Sequence, residues 1–287
     1  MSRSFSTPAA FKASLEARLK SVARQREMPL NTLRLKLVIE RLLARLFAAS
    51  DPPWLLKGGY AMELRYRPRA RTTRDIDLTC SSNEQTLDLR LAVIRERLQD
   101  AAEKDLSDYL SYRIEAPSSE LTGAPLGGAR FPCAAFLAGK TYGRFHIDLG
   151  FGDEPGVATE TLVGDDFLAF ADIPPPRVLA IGKPQQFAEK IHAYTFPWTD
   201  RVNMRTKDLV DLVLMIETGS VDPASVRDAV HAMFTKRTSH TVPASLPEPP
   251  KQWAKDFDAM AAEARLTTRD MEQAFAILHK FWGQMNS

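Results

Sequence analysis

Cysteine is nearly absent from this chain. Cys80 and Cys133 are the only two in 287 residues. Two are too few for a disulfide framework or a cysteine-based zinc site. Both are expected to be reduced thiols of a cytoplasmic protein. No apolar run approaches the ~20 residues that a membrane-crossing helix needs, so no membrane partner is expected. The opening MetSerArgSerPheSerThrPro has no apolar stretch of the secretory kind. Excess charge of one sign is also missing: 38 Lys and Arg against 36 Asp and Glu leave a net +2. Bulk electrostatics alone do not draw such a chain to nucleic acid. No internal repeat is visible.

What is present is an ordinary globular composition, 44% hydrophobic and 26% charged, with length for one or two domains. Charge is unevenly placed. Arg18, Lys20, Arg24, Arg26, Arg34, Lys36, Arg41 and Arg45 crowd the first helices. Apolar residues at helical spacing predict a helix over 8–26 (Phe11, Leu15, Leu19, Val22) and, after Pro29, a second from Asn31 or Thr32 to about Ala49. On that second helix the basic residues are expected to form a solvated face.

The organising stretch is 57–77. Trp54-Leu55-Leu56 reads as a short strand, followed by Lys57-Gly58-Gly59 and a helix over Tyr60–Tyr66 that Pro68 stops. Arg65, Arg67, Arg69, Arg71 and Arg74 follow in close succession, and then Asp75-Ile76-Asp77-Leu78. Residues i and i+2 of a strand share a face, so Ile76 and Leu78 turn inward and both carboxylates turn the other way. Two like charges so placed need compensation. Mg²⁺ is suited to this, since it takes one or two carboxylates together with substrate phosphates. The glycine pair permits close backbone approach to a phosphate at a helix start.

Downstream, a polar turn over 79–85 precedes a helix over 86–103. A strand is expected at 110–116, a Gly/Pro/Ser loop at 117–130, another strand at 131–139 and a turn over 139–143. Arg144-Phe145-His146-Ile147-Asp148-Leu149 alternates cleanly, which sets Asp148 on the polar side of a strand. Asp153 is a competing acid but follows Gly152 in a loop. His146 reads as a sheet-surface histidine. A proline-rich connector is expected over 165–184, then helices over 185–194, 205–217, 223–235, 251–264 and 268–282. Domains are therefore expected at 1–170, with N-terminal helices and an α/β core, and at 171–287, helical.

Leu56-Lys57-Gly58-Gly59-Tyr60-Ala61 together with Arg71-x-x-Arg74-Asp75-Ile76-Asp77-Leu78 resembles the AbiEii/AbiGii-type toxin nucleotidyltransferases, within the superfamily that includes DNA polymerase β. Phe187-Ala188-Glu189-Lys190-Ile191-His192-Ala193 and Arg205-x-Lys207-Asp208-Leu209-x-Asp211-Leu212 resemble a second signature of the same family. The superfamily usually has Gly-Ser where this chain has Gly58-Gly59, and the toxin-like branch often has Gly-Gly. The resemblance covers roughly 50–215.

That resemblance implies an α+β fold, a polymerase β-like core of mixed sheet flanked by helices with a C-terminal helical domain. It implies Asp75, Asp77 and Asp148 as Mg²⁺ ligands and Lys190 and Asp208 as further catalytic residues. Lys57, Gly58, Gly59, Arg71, Arg74, Lys190 and Arg205 would contact nucleotide. It implies transfer of NMP from ATP, CTP, UTP or GTP to an acceptor, the tRNA 3′ end above all, with pyrophosphate released and translation blocked. A cognate antitoxin protein would be the partner, with a monomer by default. Two other readings stay open. A small-molecule nucleotidyltransferase of the antibiotic-modifying type would keep the carboxylates but surround Asp148 with a compact acidic or polar pocket instead of a basic groove. A non-catalytic nucleic-acid- or antitoxin-binding scaffold would let the acids decay, yet all three are intact.

Overall fold

The computed structural model describes residues 5–80, 86–121, 126–152, 158–198 and 203–285. The chain runs α1 (Pro8–Gln25), α2 (Leu30–Leu46), β1 (Trp54–Lys57), α3 (Gly58–Tyr66), β2 (Asp75–Cys80), α4 (Leu87–Ala102), β3 (Leu110–Ile114), β4 (Ser119–Glu120), β5 (Gly128–Leu137), β6 (Lys140–Phe151), β7 (Thr159–Val163) and β8 (Arg177–Ile181). Helices α5 (Lys183–Thr195), α6 (Thr206–Glu217), α7 (Pro223–Arg237), α8 (Ala254–Glu263) and α9 (Met271–Met285) follow. The fold is α+β, with a mixed sheet flanked by helices.

Two compact units divide the chain. The first comprises residues 1–60, 74–155 and 161–180, and the second 61–73, 156–160 and 181–287.

The first unit is built on the sheet, whose described strands run in the order β3-β5-β6-β2-β1-β8-β7, with β4 beside β5. β1 is antiparallel to β2, β2 is parallel to β6, and β6 is antiparallel to β5. Ile76, Leu78, Phe131, Ile147 and Leu149 are fully buried on the inner face, as are Leu33, Leu37, Ile39 and Leu42 of α2. Thr7 starts α1 as its N-cap, its Oγ1 accepting from the Ala10 N–H at 3.1 Å, with Pro8 in the first turn. A side-chain oxygen there satisfies one of the amides a helix start leaves open.

Several expectations need correction in this unit. The expected solvated face of α2 is largely interior: Lys36, Arg41 and Arg45 are buried. Asp108, fully buried, explains two of them. It accepts from both Nη atoms of Arg45 at 2.9 and 2.5 Å and from Arg41 Nε at 2.7 Å. A buried charge persists when paired and hydrogen-bonded, and helical periodicity cannot see a partner more than sixty residues away. The expected loop over 117–130 ends early, because β5 already begins at Gly128. The expected turn at 139–143 is tighter: Ala138 and Gly139 take positive φ and β6 begins at Lys140. The expected connector holds a short 3-10 turn over Ala169–Ala171 and a complete strand, β8.

The second unit is helical. Phe187, Ile191, Leu209, Leu212, Val213, Phe257, Ala274 and Leu278 form its core, joined by Met62 and Tyr66 of α3. α6 is apolar almost all round, as expected of a central helix, and buries Thr206, Asp208 and Asp211 along with its aliphatic residues.

Candidate active site

On β2, Ile76 and Leu78 go inward and Asp75 and Asp77 stay half-buried on the opposite face. β6 repeats the pattern beside it. Parallel register sets Asp75 opposite His146 and Asp77 opposite Asp148. Neighbouring strands lie ~4.8 Å apart, so Asp77 and Asp148 are adjacent on one face, with Asp75 one step along. On the other side of β2, Lys57 is the antiparallel register partner of Asp77.

The glycine pair closes on the same carboxylate. Gly58 opens α3 at φ +64°, a left-handed conformation that side chains resist. A Cβ at Gly58 would lie 2.0 Å from Asp77 Oδ2 and 2.7 Å from Asp77 Cβ. The Gly59 N–H donates to Asp77 Oδ2 at 3.3 Å. Glycine is required here because backbone and carboxylate share the space a methyl group would fill.

Arg130 completes this face. It stands opposite Asp148 across the β5–β6 pair, and its Nε and Nη2 each donate to one Asp148 oxygen at 2.7 Å. The hydrogen bonds to Asp148, aided by the charges of Asp148, Asp75 and Asp77, hold the guanidinium well above its usual pKa. His146 Nδ1 lies 3.4 Å from Asp75 Oδ1. A cavity of about 720 Å³ adjoins these groups, lined by Arg74, Asp75, Arg130, His146, Arg144 and, from the start of α2, Asn31 and Thr32.

The donor set is the right chemistry for a hard divalent cation. Asp75 and Asp77 supply the one or two carboxylates that Mg²⁺ takes alongside substrate phosphates. As the side chains stand, no three His, Cys, Asp or Glu groups among the described residues converge to hold an ion. Asp148 has both oxygens engaged by Arg130.

The second set of motif residues gathers in the helical unit. Lys190 Nζ donates to Asp208 at 3.2 Å and to Asp211 at 2.6 Å. Arg71 donates to both oxygens of Asp211, from Nε at 3.2 Å and Nη2 at 3.0 Å. Arg205 reaches Asp208 at 3.5 Å and lies over the Trp198 ring at 5.4 Å. Burial alone would depress the Lys190 pKa, but Asp211 and Asp208 outweigh it and hold it above the usual lysine value. Burial would raise the Asp211 carboxyl, and Lys190 and Arg71 instead hold it below the usual range.

The residues singled out in the sequence thus fall into two groups. Lys57, Gly58, Gly59, Asp75, Asp77 and Asp148 share one face of the sheet unit, with Arg74 on the adjoining cavity. Lys190, Asp208, Arg71 and Arg205 gather in the helical unit. Arg130 and Asp211, which pair with these residues, were not among the candidates. Arg130 lay at the edge of an expected loop, although Ala129-Arg130-Phe131 already alternates. Asp211 sits three residues after Asp208, on the same helical side, and that spacing was the available signal. Asp153 lies outside the described residues.

The family model described as "Nucleotidyl transferase AbiEii toxin, Type IV TA system" matches residues 41–280. Among solved structures, MenT4, the nucleotidyltransferase toxin Rv2826c from Mycobacterium tuberculosis H37Rv, shares the fold at a TM-score of 0.56 and 14% identity, covering 93% of this chain and 96% of that one. JHP933 from Helicobacter pylori aligns at a TM-score of 0.46 and 10% identity, over 89% of this chain and 93% of that one. A search of curated proteins finds no match. The two motif groups and the match over residues 41–280 identify the chain as a member of the AbiEii nucleotidyltransferase toxin family of type IV toxin–antitoxin systems.

Proposed function

We propose that the toxin transfers a nucleoside monophosphate from an NTP to the 3′-hydroxyl of an RNA, the tRNA acceptor end, blocking translation until a cognate antitoxin protein restrains it. The observation that carries the reading is the in-register placement of Asp77 and Asp148, with Asp75 beside them, on one face of β2 and β6. Asp75 and Asp77 would hold Mg²⁺. The bound ion would neutralise charge on the triphosphate and on the departing pyrophosphate. The backbone at Gly58 and Gly59 lies close enough to Asp77 to meet phosphates bound there, and Lys57 would offset their charge. The acceptor hydroxyl would attack the α-phosphate, its O–P bond forming as the bond to pyrophosphate breaks.

Nucleic acid is favoured over a small cationic acceptor by the charge around the site. Arg74 and Arg144 line the cavity beside Asp75 and Glu115, together with Arg130, which Asp148 holds. Arginine is the usual partner of phosphodiester oxygens. The basic N-terminal helices add less to this surface than their composition suggests, since Arg41 and Arg45 are spent on Asp108. For Lys190, Asp208, Arg71 and Arg205, nucleotide contact rests on the motif. Their buried hydrogen bonds account for how they are held.

The test is incubation of purified protein with Mg²⁺, each labelled NTP in turn, and total tRNA, beside Asp77→Asn. Label on RNA 3′ ends with wild type alone is the expected result. NTP binding that depends on Asp77, without label on any RNA, would discard the RNA acceptor and favour a small molecule. Transfer that survives Asp77→Asn would discard the site.

A further inference from the structure

Three carboxylates on one sheet face repel one another, and each must be offset. Asp148 is offset by an arginine. Both of its oxygens are taken by Arg130, in the paired geometry that makes arginine–carboxylate contacts strong. The partner is built in: Arg130 stands directly across the strand pair from Asp148, so no loop has to close to bring it there. The Asp148 side chain is only 14% exposed, while Arg130 is 38% exposed and opens onto the cavity.

We propose that Arg130 and a second divalent cation are alternative occupants of Asp148, so that this chain takes one ion at Asp75 and Asp77 and admits another only when Arg130 swings away. This rests on the assignment of Asp75 and Asp77 as the metal-binding pair. Three observations bear on it. No three potential ligands converge among the described residues, although Asp77 and Asp148 are register partners. The guanidinium supplies the positive charge that a second ion would otherwise bring. It also has somewhere to go, because it lines a cavity of about 720 Å³. An anionic acceptor in that cavity would draw Arg130 off Asp148, tying the second ion to the arrival of substrate.

The experiment is Mn²⁺ titration followed by electron paramagnetic resonance, on full-length wild type, Asp77→Asn, Arg130→Gln, Arg130→Lys, and Arg130→Gln combined with Asp148→Asn. Wild type is expected to bind one ion tightly, in a manner lost with Asp77→Asn. Arg130→Gln should bind a second ion roughly tenfold more tightly than wild type does, the scale of removing one partly exposed charge-assisted pair. Adding Asp148→Asn should abolish that gain. Arg130→Lys keeps the charge but not the paired hydrogen bonds and should fall between, which keeps the test open if the glutamine variant does not fold. Second-ion affinity unchanged or weakened in folded Arg130 variants would overturn the proposal while leaving the first site standing. No Asp77-dependent ion in any variant would overturn the metal assignment, and this proposal with it.

Discussion

Replacing Gly58 with alanine perturbs the site through a single methyl group, and its cost follows from the geometry. The residue sits at φ +64°, where an alanine is strained by about 1–2 kcal/mol. The new Cβ would also meet Asp77, at 2.0 Å from Oδ2 and 2.7 Å from Cβ. The carboxylate could rotate away, but the Asp77 Cβ belongs to β2 and moves only with its strand. Forcing a methyl group into occupied space costs about 1–3 kcal/mol more. The sum, about 2–5 kcal/mol, corresponds to a fall of ~4–10 °C in Tm at roughly 2 °C per kcal/mol for a chain of this size. Calorimetry on wild type, Gly58→Ala, Asp77→Gly and the double variant measures the two parts. With Asp77 reduced to glycine the collision is gone, and Gly58→Ala should then cost only the backbone strain. A coupling of about 1–3 kcal/mol is expected between the two positions. Equal costs in both backgrounds, within ~0.5 kcal/mol, would refute the close approach of Gly58 to Asp77, and with it the reason for glycine at this position.

The buried cluster of the helical unit should behave as one piece. Lys190→Met leaves Asp208 to Arg205 and Asp211 to Arg71, and should cost about 3 kcal/mol in denaturant unfolding, the low end for a broken buried pair. Because the Asp211 pKa is lowered in the folded protein, its contribution is present above the unfolded value of ~3.9 and is lost as pH falls through the folded one. The gap between wild type and Lys190→Met should therefore narrow below about pH 4, and a gap independent of pH would contradict the pairing. The thiols should be inert in the native protein. Burial pushes Cys80 up to about 12 and pushes Cys133 up as well, so an aromatic disulfide reagent at pH 8 should titrate them only on unfolding. Rapid stoichiometric labelling of folded protein would show that Cys133, which touches the cavity wall, is more open than its burial indicates.

Much of the layout of the candidate site was legible from local pattern. Asp75-Ile76-Asp77-Leu78 and His146-Ile147-Asp148-Leu149 alternate, and a strand of period two has one way to bury the aliphatic residues, so the faces of all three carboxylates followed. Gly58-Gly59 after Trp54-Leu55-Leu56 marked a strand turning into a helix, and the helix begins at Gly58 itself. The helical C-terminal region was likewise readable, because Gln185–Tyr194 and Arg205–Glu217 carry the period of a helix without help from the rest of the chain. What the sequence could not determine is which charges meet. That β2 lies beside β6, putting Asp77 in register with Asp148, is a matter of strand order. That Arg130 pairs with Asp148, Arg45 with Asp108, and Lys190 with Asp211 as well as Asp208 depends on contacts between residues 18 to 63 positions apart. Periodicity reports which side of an element is apolar. Only the tertiary structure decides whether a charged residue on the other side meets water or a buried partner of opposite sign.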